Sequence, residues 1–147
     1  MDICKEHSPA GAIAKKIKID DIEISFEYKE LGEVGIIGTI TDLKSLSNYL
    51  KIKIDFIKDM EFKKIGIVAG AGGLKNFVQE AKEKKCLGYI TGEIVDESIY
   101  LEDIKIFNIG HFHSIATGME LLSEYYKKHF KIPCYFLTSY NYNDSKI

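Results

Sequence analysis

Alternation of apolar and polar positions organises the start of the chain. In "IEISFEYKE", Ile22, Ile24, Phe26 and Tyr28 alternate with Glu23, Ser25, Glu27 and Lys29, the period of a half-exposed strand. Gly32 can turn this segment into a second strand, "EVGIIGTI", and the pair predicts an antiparallel hairpin. On either side the period lengthens to that of a helix. "HSPAGAIAKKI" repeats Ala10, Ile13, Ala14 and Ile17 at spacings 0, 3, 4 and 7, with Ser8 placed to cap and Pro9 suited to the first helical position. "TDLKSLSNYLK" sets Leu43, Leu46 and Leu50 on one helical face, with Thr41 the expected cap.

Further along, unbroken apolar runs replace alternation. In "FKKIGIVAGAGGLKNFVQEAKEKKCLGYITGE" a strand from Ile65 to Ala69 runs into a Gly-rich turn. A helix follows with Leu74, Phe77, Val78 and Ala81 on one face, and a second strand spans Cys86 to Ile90. Such a β-α-β unit with continuously apolar strands belongs to a sheet covered on both faces. "IKIFNIG" supplies another strand. The helix after it carries Ile115, Met119, Leu122 and Tyr126 as the expected buried stripe, and "IPCYFLTS" reads as a last strand with Pro133 near its start. The fold expected is α/β, a mostly parallel sheet flanked by helices with an antiparallel hairpin near the N-terminus. It forms one domain over residues 1–140, and 141–147 is an unpatterned flexible tail.

The 147 residues, 46% hydrophobic, suffice for a single core. Twenty Lys and Arg against 22 Asp and Glu, a net charge of -2, supply no global positive field, so neither nucleic acid nor an anionic membrane is an expected partner. Cys4, Cys86 and Cys134 are odd in number, far apart and in no C-x-x-C arrangement, which speaks against a disulfide scaffold or zinc finger; Cys86 and Cys134 read as small buried hydrophobes. No run approaches 18 apolar residues and "MDICKEH" is not a signal peptide, so the expected location is cytoplasmic.

If the last three core strands are parallel, Gly70 to Gly73, Thr91-Gly92-Glu93 and Gly110 to His113 lie on one sheet edge, where open α/β folds build their sites. Gly70, Gly72 and Gly73 do not have the dinucleotide spacing and no Gly-Lys-Ser/Thr is present. They form either a tight turn or an anion contact at a helix start. In an extended segment His111 and His113 point the same way and give a divalent metal two nitrogens, with Glu93 adding oxygen. The alternative is a pair of imidazoles hydrogen-bonded at a helix start. No G-x-S-x-G surrounds Ser98 or Ser114, so catalysis, if any, would use a metal-activated water with Glu93, the candidate catalytic residue, or a histidine moving the proton.

"GIVAGAGG…FVQEA…YITGEIVDESI" followed by "FNIGHFHS…GMELLSEYY", with "SPAGAIAKKI" and "ELGEVGIIGTI" upstream, resembles the NIF3-like family (DUF34, GTP cyclohydrolase I type 2 homologues) over residues 2 to 137. The resemblance is to the second half of the family's longer chains. It implies a two-metal site in which Asp2 stands at an acidic ligand position and His111 at the late histidine. The upstream histidine pair is absent, Ile115 stands where members carry a glutamate, Tyr100 where relatives often have His, and His113 is an added neighbour. What remains implies at most one weakly held divalent ion (Zn, Fe, Mn or Ni) on Asp2, His111 and His113. The family's dimers and toroidal hexamers imply a homo-oligomer, or a complementary chain supplying the missing half. Three functional readings stand: a NIF3-like protein with a partial metal site, a metal-dependent hydrolase of a nucleotide or small cofactor, and a non-catalytic interaction or regulatory subunit.

Overall fold

Ser8 starts the first helix, its Oγ accepting from the Gly11 amide at 3.0 Å, in a computed structural model that describes residues 7–137 apart from the Glu30 side chain. Helix α1 (Pro9–Ile17) buries Ala10, Ile13, Ala14 and Ile17, the stripe its spacing predicts, and ends at Lys18 in the left-handed conformation. Strands β1 (Ile19–Tyr28) and β2 (Gly32–Ile40) form the expected antiparallel hairpin, with Ile24 opposite Ile36. The alternation in β1 is broken, however. A register shift between Asp20 and Glu23 and a φ of 69° at Phe26 leave Ser25 and Phe26 buried in succession, and the Phe26 amide donates to Glu80 at 3.0 Å instead of to a strand.

Helix α2 (Leu43–Leu50) is capped by Asp42 rather than Thr41. The Asp42 carboxylate accepts from the Ser45 amide at 3.0 Å and from its hydroxyl at 2.8 Å, which holds its pKa below the usual range; Thr41 instead donates to Asp20. Short 3₁₀ turns then return the chain to the same end of the sheet, so that β3 (Lys64–Val68) pairs antiparallel to β2, Thr39 opposite Lys64. From there α3 (Lys75–Glu83) makes the β-α-β crossover and places β4 (Cys86–Thr91) parallel to β3, with β5 (Lys105–Asn108) parallel beyond it. The order is β1-β2-β3-β4-β5. With two antiparallel and two parallel pairings the sheet is mixed, not mostly parallel: beside the expected hairpin the β2–β3 pairing is antiparallel too, and only β3–β4 and β4–β5 are parallel.

One face of the sheet packs on α1 and α2 through Ile13, Ile17, Ile40, Leu46, Ile65 and Ile90; the other packs on α3 through Phe26, Phe77, Val78, Ala81 and Tyr89. Cys86 is buried in the second layer, where burial pushes its thiol up to about 12, while Cys134 is half-buried. Cys4 and the 141–147 tail lie outside the described residues.

The long helix α4 (His111–Phe130) departs most from expectation. Its buried residues are Ser114, Thr117, Gly118 and Ser123, whereas Met119 and Tyr126 of the expected stripe are 44% and 40% exposed. The cause is its neighbour. α4 lies against α1, and a Cβ on Gly118 would stand 2.8 Å from Pro9 Cα, so small residues face inward to let the two helices approach. Residues 131–137 form no strand, leaving Ile132, Tyr135 and Leu137 exposed. Among the described residues no helix is long and apolar enough to cross a membrane.

Gly118→Val is expected to force α4 off α1 and cost about 1–3 kcal/mol, read as a fall of several degrees in Tm. Cys86 gives a pH signature. Between about 9 and about 12 the folded chain keeps a thiol proton that the unfolded chain has lost, so stability falls as pH rises through that window. In urea titrations across this range Cys86→Val should show a shallower decline than the parent.

Candidate functional site

Strand β3 ends at Val68, and the chain turns at Gly70, whose φ of +67° is one that side-chain-bearing residues rarely adopt. The turn leaves the buried Gly70 amide without a ladder partner, and the Ser114 hydroxyl of α4 accepts it at 2.9 Å while donating to the His111 carbonyl at 2.8 Å. Gly92 makes room for this bond. A Cβ there would meet Ser114 Oγ and stand 2.9 Å and 2.8 Å from the Gly70 nitrogen and oxygen. The Gly73 amide donates to the Glu93 carbonyl at 2.9 Å, the Val95 and Asp96 amides return to the Gly73 carbonyl, and the Ile109 amide reaches Thr91. Below them the buried Tyr89 hydroxyl donates to Gly72 at 2.7 Å, its pKa raised by burial. The three strand ends are thus stitched into one surface, as the edge argument expects.

Two chemically active side chains stand on it. Glu93 has its backbone pinned by Gly73, and its Oε2 lies 2.8 Å from Nδ1 of His111, the first residue of α4. Both are more than half exposed, at 54% and 56%. The other edge of the imidazole, Cε1 and Nε2, lies over Gly70, 3.7 Å from where a Cβ would stand, and Ile115 Cδ1 closes the same turn at 3.5 Å. Ile115 therefore sits one helical turn below His111 beside the same glycine. A carboxylate at that position would lie next to the imidazole.

His113 does not join them. The expectation that His111 and His113 point together assumes an extended segment, but the helix begins at His111, so the two side chains diverge by about 200°. The His113 ring instead lies against Tyr49, centroids 5.5 Å apart. The Tyr49 hydroxyl, its pKa raised by burial, donates at 3.1 Å to Thr117 Oγ1, whose own proton goes to the His113 carbonyl. Asp2 lies outside the described residues. The amides of Gly70 and Gly73 are engaged within the chain, so an anion would have to displace those bonds. Tyr100 is exposed.

Among the described residues no group of three or more His, Cys, Asp or Glu side chains is placed to hold a metal ion. One imidazole and one carboxylate do not fit a dinuclear cage; they fit part of a single-ion site, whose remaining donors must come from elsewhere. A half-open cavity of about 740 Å³ lies elsewhere, between α1 and the C-terminal part of α4, lined by Lys15, Lys18, Leu121, Tyr125 and Lys128. Pattern reading singles out Glu93 and His111 but misses what holds them. The Gly92 contact and the Tyr49 shelf leave no periodic signal, and no spacing marks Ser114 as the partner of the Gly70 amide.

A family model described as Duf34/NIF3 (NGG1p interacting factor 3) matches residues 1–142. No curated protein matches the sequence. Among solved structures the chain is similar to reduced HcgD from Methanocaldococcus jannaschii, with TM-score 0.63 at 14% identity over 84% of this chain and 52% of that one. It is similar to the protein ybgI, of unknown function, with TM-score 0.64 at 17% identity over 92% and 57%. The hypothetical protein SA1388 of Staphylococcus aureus gives 0.58 at 13% over 87% and 59%. At these identities the likeness is one of fold. The chain spans little more than half the length of these neighbours.

Ser114→Ala would strand the buried Gly70 amide and is expected to cost about 1–3 kcal/mol. Ser123→Ala, which removes only a bond to Glu120 within the same helix, should cost less. Thermal melts compare the two, and faster hydrogen exchange at Gly70 in Ser114→Ala should locate the loss.

Proposed function

Because this chain belongs to the Duf34/NIF3 family, we propose that it carries an incomplete site for one divalent cation at the edge formed by Gly70, Glu93 and His111, and is not by itself a two-metal hydrolase. The observation that supports this reading is the 2.8 Å approach of Glu93 to His111, on two elements whose backbones are fixed independently. Imidazole nitrogen with carboxylate oxygen is a donor set for Zn, Fe, Mn or Ni. Glu93 either ligates the ion or fixes the His111 tautomer and raises its basicity. Asp2 is the third donor of this reading and His113 has no part in it. Nor do the glycine amides, whose bonds hold the strand ends together.

The low donor count has an energetic consequence. Each carboxylate or imidazole removed from a site leaves more of the cation's lost hydration uncompensated, so a two- or three-donor site binds weakly and a second adjacent cation is not tolerated. The hydrolase reading therefore requires donors from another chain.

Elemental analysis after incubation with each metal and desalting is expected to find less than one ion per chain. That ion should be lost in His111→Ala, reduced in Glu93→Gln and Asp2→Asn, and unchanged in His113→Ala. Ile115→Glu, which puts a carboxylate one turn below His111, should raise occupancy about tenfold or more at limiting metal. A parent that takes up no metal, together with an Ile115→Glu variant that gains none, would overturn the reading.

A further inference from the structure

We propose that the cavity between α1 and the C-terminal part of α4 is a binding site for a small phosphate monoester that carries a flat ring, separate from the edge at Glu93 and His111. Two lysine doublets of the sequence, Lys15-Lys16 and Lys127-Lys128, come to this cavity, and each of them divides. Lys16 is bridged to Glu120 at 2.8 Å, and Lys127 stands over the Tyr135 ring at 5.7 Å. Their neighbours Lys15 and Lys128 line the cavity instead, and neither has a carboxylate within ion-pair distance among the described residues. Lys18, at the end of α1, adds a third ammonium group, 3.6 Å from Asp42. Glu124 is the one carboxylate of the lining. A chain with a net charge of -2 thus gathers positive charge at one concave place.

Lysines near a helix end are ordinarily explained by the dipole and by open water around them. Here they surround a hollow of about 740 Å³, within the size range of sites for small molecules. Beside the ammonium groups its lining is apolar and aromatic. Ala14 and Ile19 are buried, with Ile22 and Leu121 half-buried. Tyr125 is stacked on His129 at 4.0 Å and meets His7 edge-on at 4.7 Å, so its ring is held in place before anything binds. These features specify the two ends of a ligand. Clustered ammonium groups on flexible stems suit the doubly charged head of a phosphate monoester, and the apolar and aromatic lining suits a ring attached to it. Inorganic phosphate alone would leave the apolar lining wet, and an uncharged ring would leave the ammonium groups without a counter-charge.

Fluorescence titration of the whole chain with naphthyl phosphate is expected to give a Kd on the order of 10–100 μM. Naphthol and inorganic phosphate, the two halves of the probe, should compete at least about tenfold more weakly, and so should naphthoate, whose head carries a single charge. Lys15→Ala and Lys128→Ala should each raise the Kd about tenfold with circular dichroism unchanged, since both side chains are exposed. Lys16→Ala and Lys127→Ala, the other member of each doublet, should leave it within about twofold. His111→Ala with a chelator present should bind the probe as the parent does, which separates this site from the cation edge. The ring resonances of Tyr125 and His129 should move during the titration. A parent that does not bind up to about 1 mM would overturn the proposal. So would equal weakening by all four lysine substitutions, the result of unplaced surface charge, or naphthoate binding as tightly as the phosphate, or loss of binding in His111→Ala.

Discussion

The Gly70 amide is buried at the point where β3 stops offering it a ladder partner, and a buried amide left alone costs as much as a lost hydrogen bond. Its partner comes from a different element, the Ser114 hydroxyl in the first turn of α4. The bond can form only because residue 92 has no Cβ. One hydrogen bond and one absent methyl group therefore bring three chain segments to contact distance. The proximity of Glu93 and His111 is a consequence, since each directly adjoins one of the residues so fixed or shares its helical turn. An exposed side-chain contact of this kind contributes little to stability by itself, so the edge is held by its backbone and the pair rides on it.

What pattern reading reaches, and where it stops, follows from the range of each interaction. The β3-α3-β4 unit is legible because strands covered on both faces must be apolar throughout, and Ile65 to Val68 and Cys86 to Ile90 are. The meeting of three strand ends follows from the parallel pairings alone. The direction of β3 relative to β2 is not legible, because it is decided by where the connection over residues 41–63 delivers the chain, and no side chain there encodes a direction. Thr41 and Asp42 are adjacent candidates for one cap. Asp42 prevails because it reaches both the Ser45 amide and hydroxyl while Thr41 is drawn off by Asp20. His113 depends on whether the helix begins one turn earlier or later, and helix ends are the least determinate feature of a pattern.

Helix α4 shows the limit most clearly. Its 3-and-4 spacing announces an apolar face, and the simplest inference is that such a face points inward. In this fold the inward side is decided by the neighbour instead. Pro9 of α1 comes so near Gly118 that only small residues fit between, and the larger ones are displaced to the opposite side. Periodicity reports that a face is apolar, not which surface covers it. That distinction separates a buried stripe from an exposed one, and only the positions of Ser114, Thr117 and Gly118 resolve it.

Ile115 joins the two themes. It belongs by spacing to the outer strip of α4, yet its Cδ1 lies over Gly70 beside the His111 ring, so one side chain borders both the apolar face and the edge that carries Glu93 and His111. An isoleucine there favours a dry helix surface, whereas a carboxylate would favour a hydrated ion and would cost desolvation if the strip were covered. With isoleucine in place the scaffold of the edge survives intact, through Gly70, Gly92 and Ser114, because none of those contacts passes through residue 115. The framework that positions Glu93 and His111 is thus independent of the side chain at residue 115.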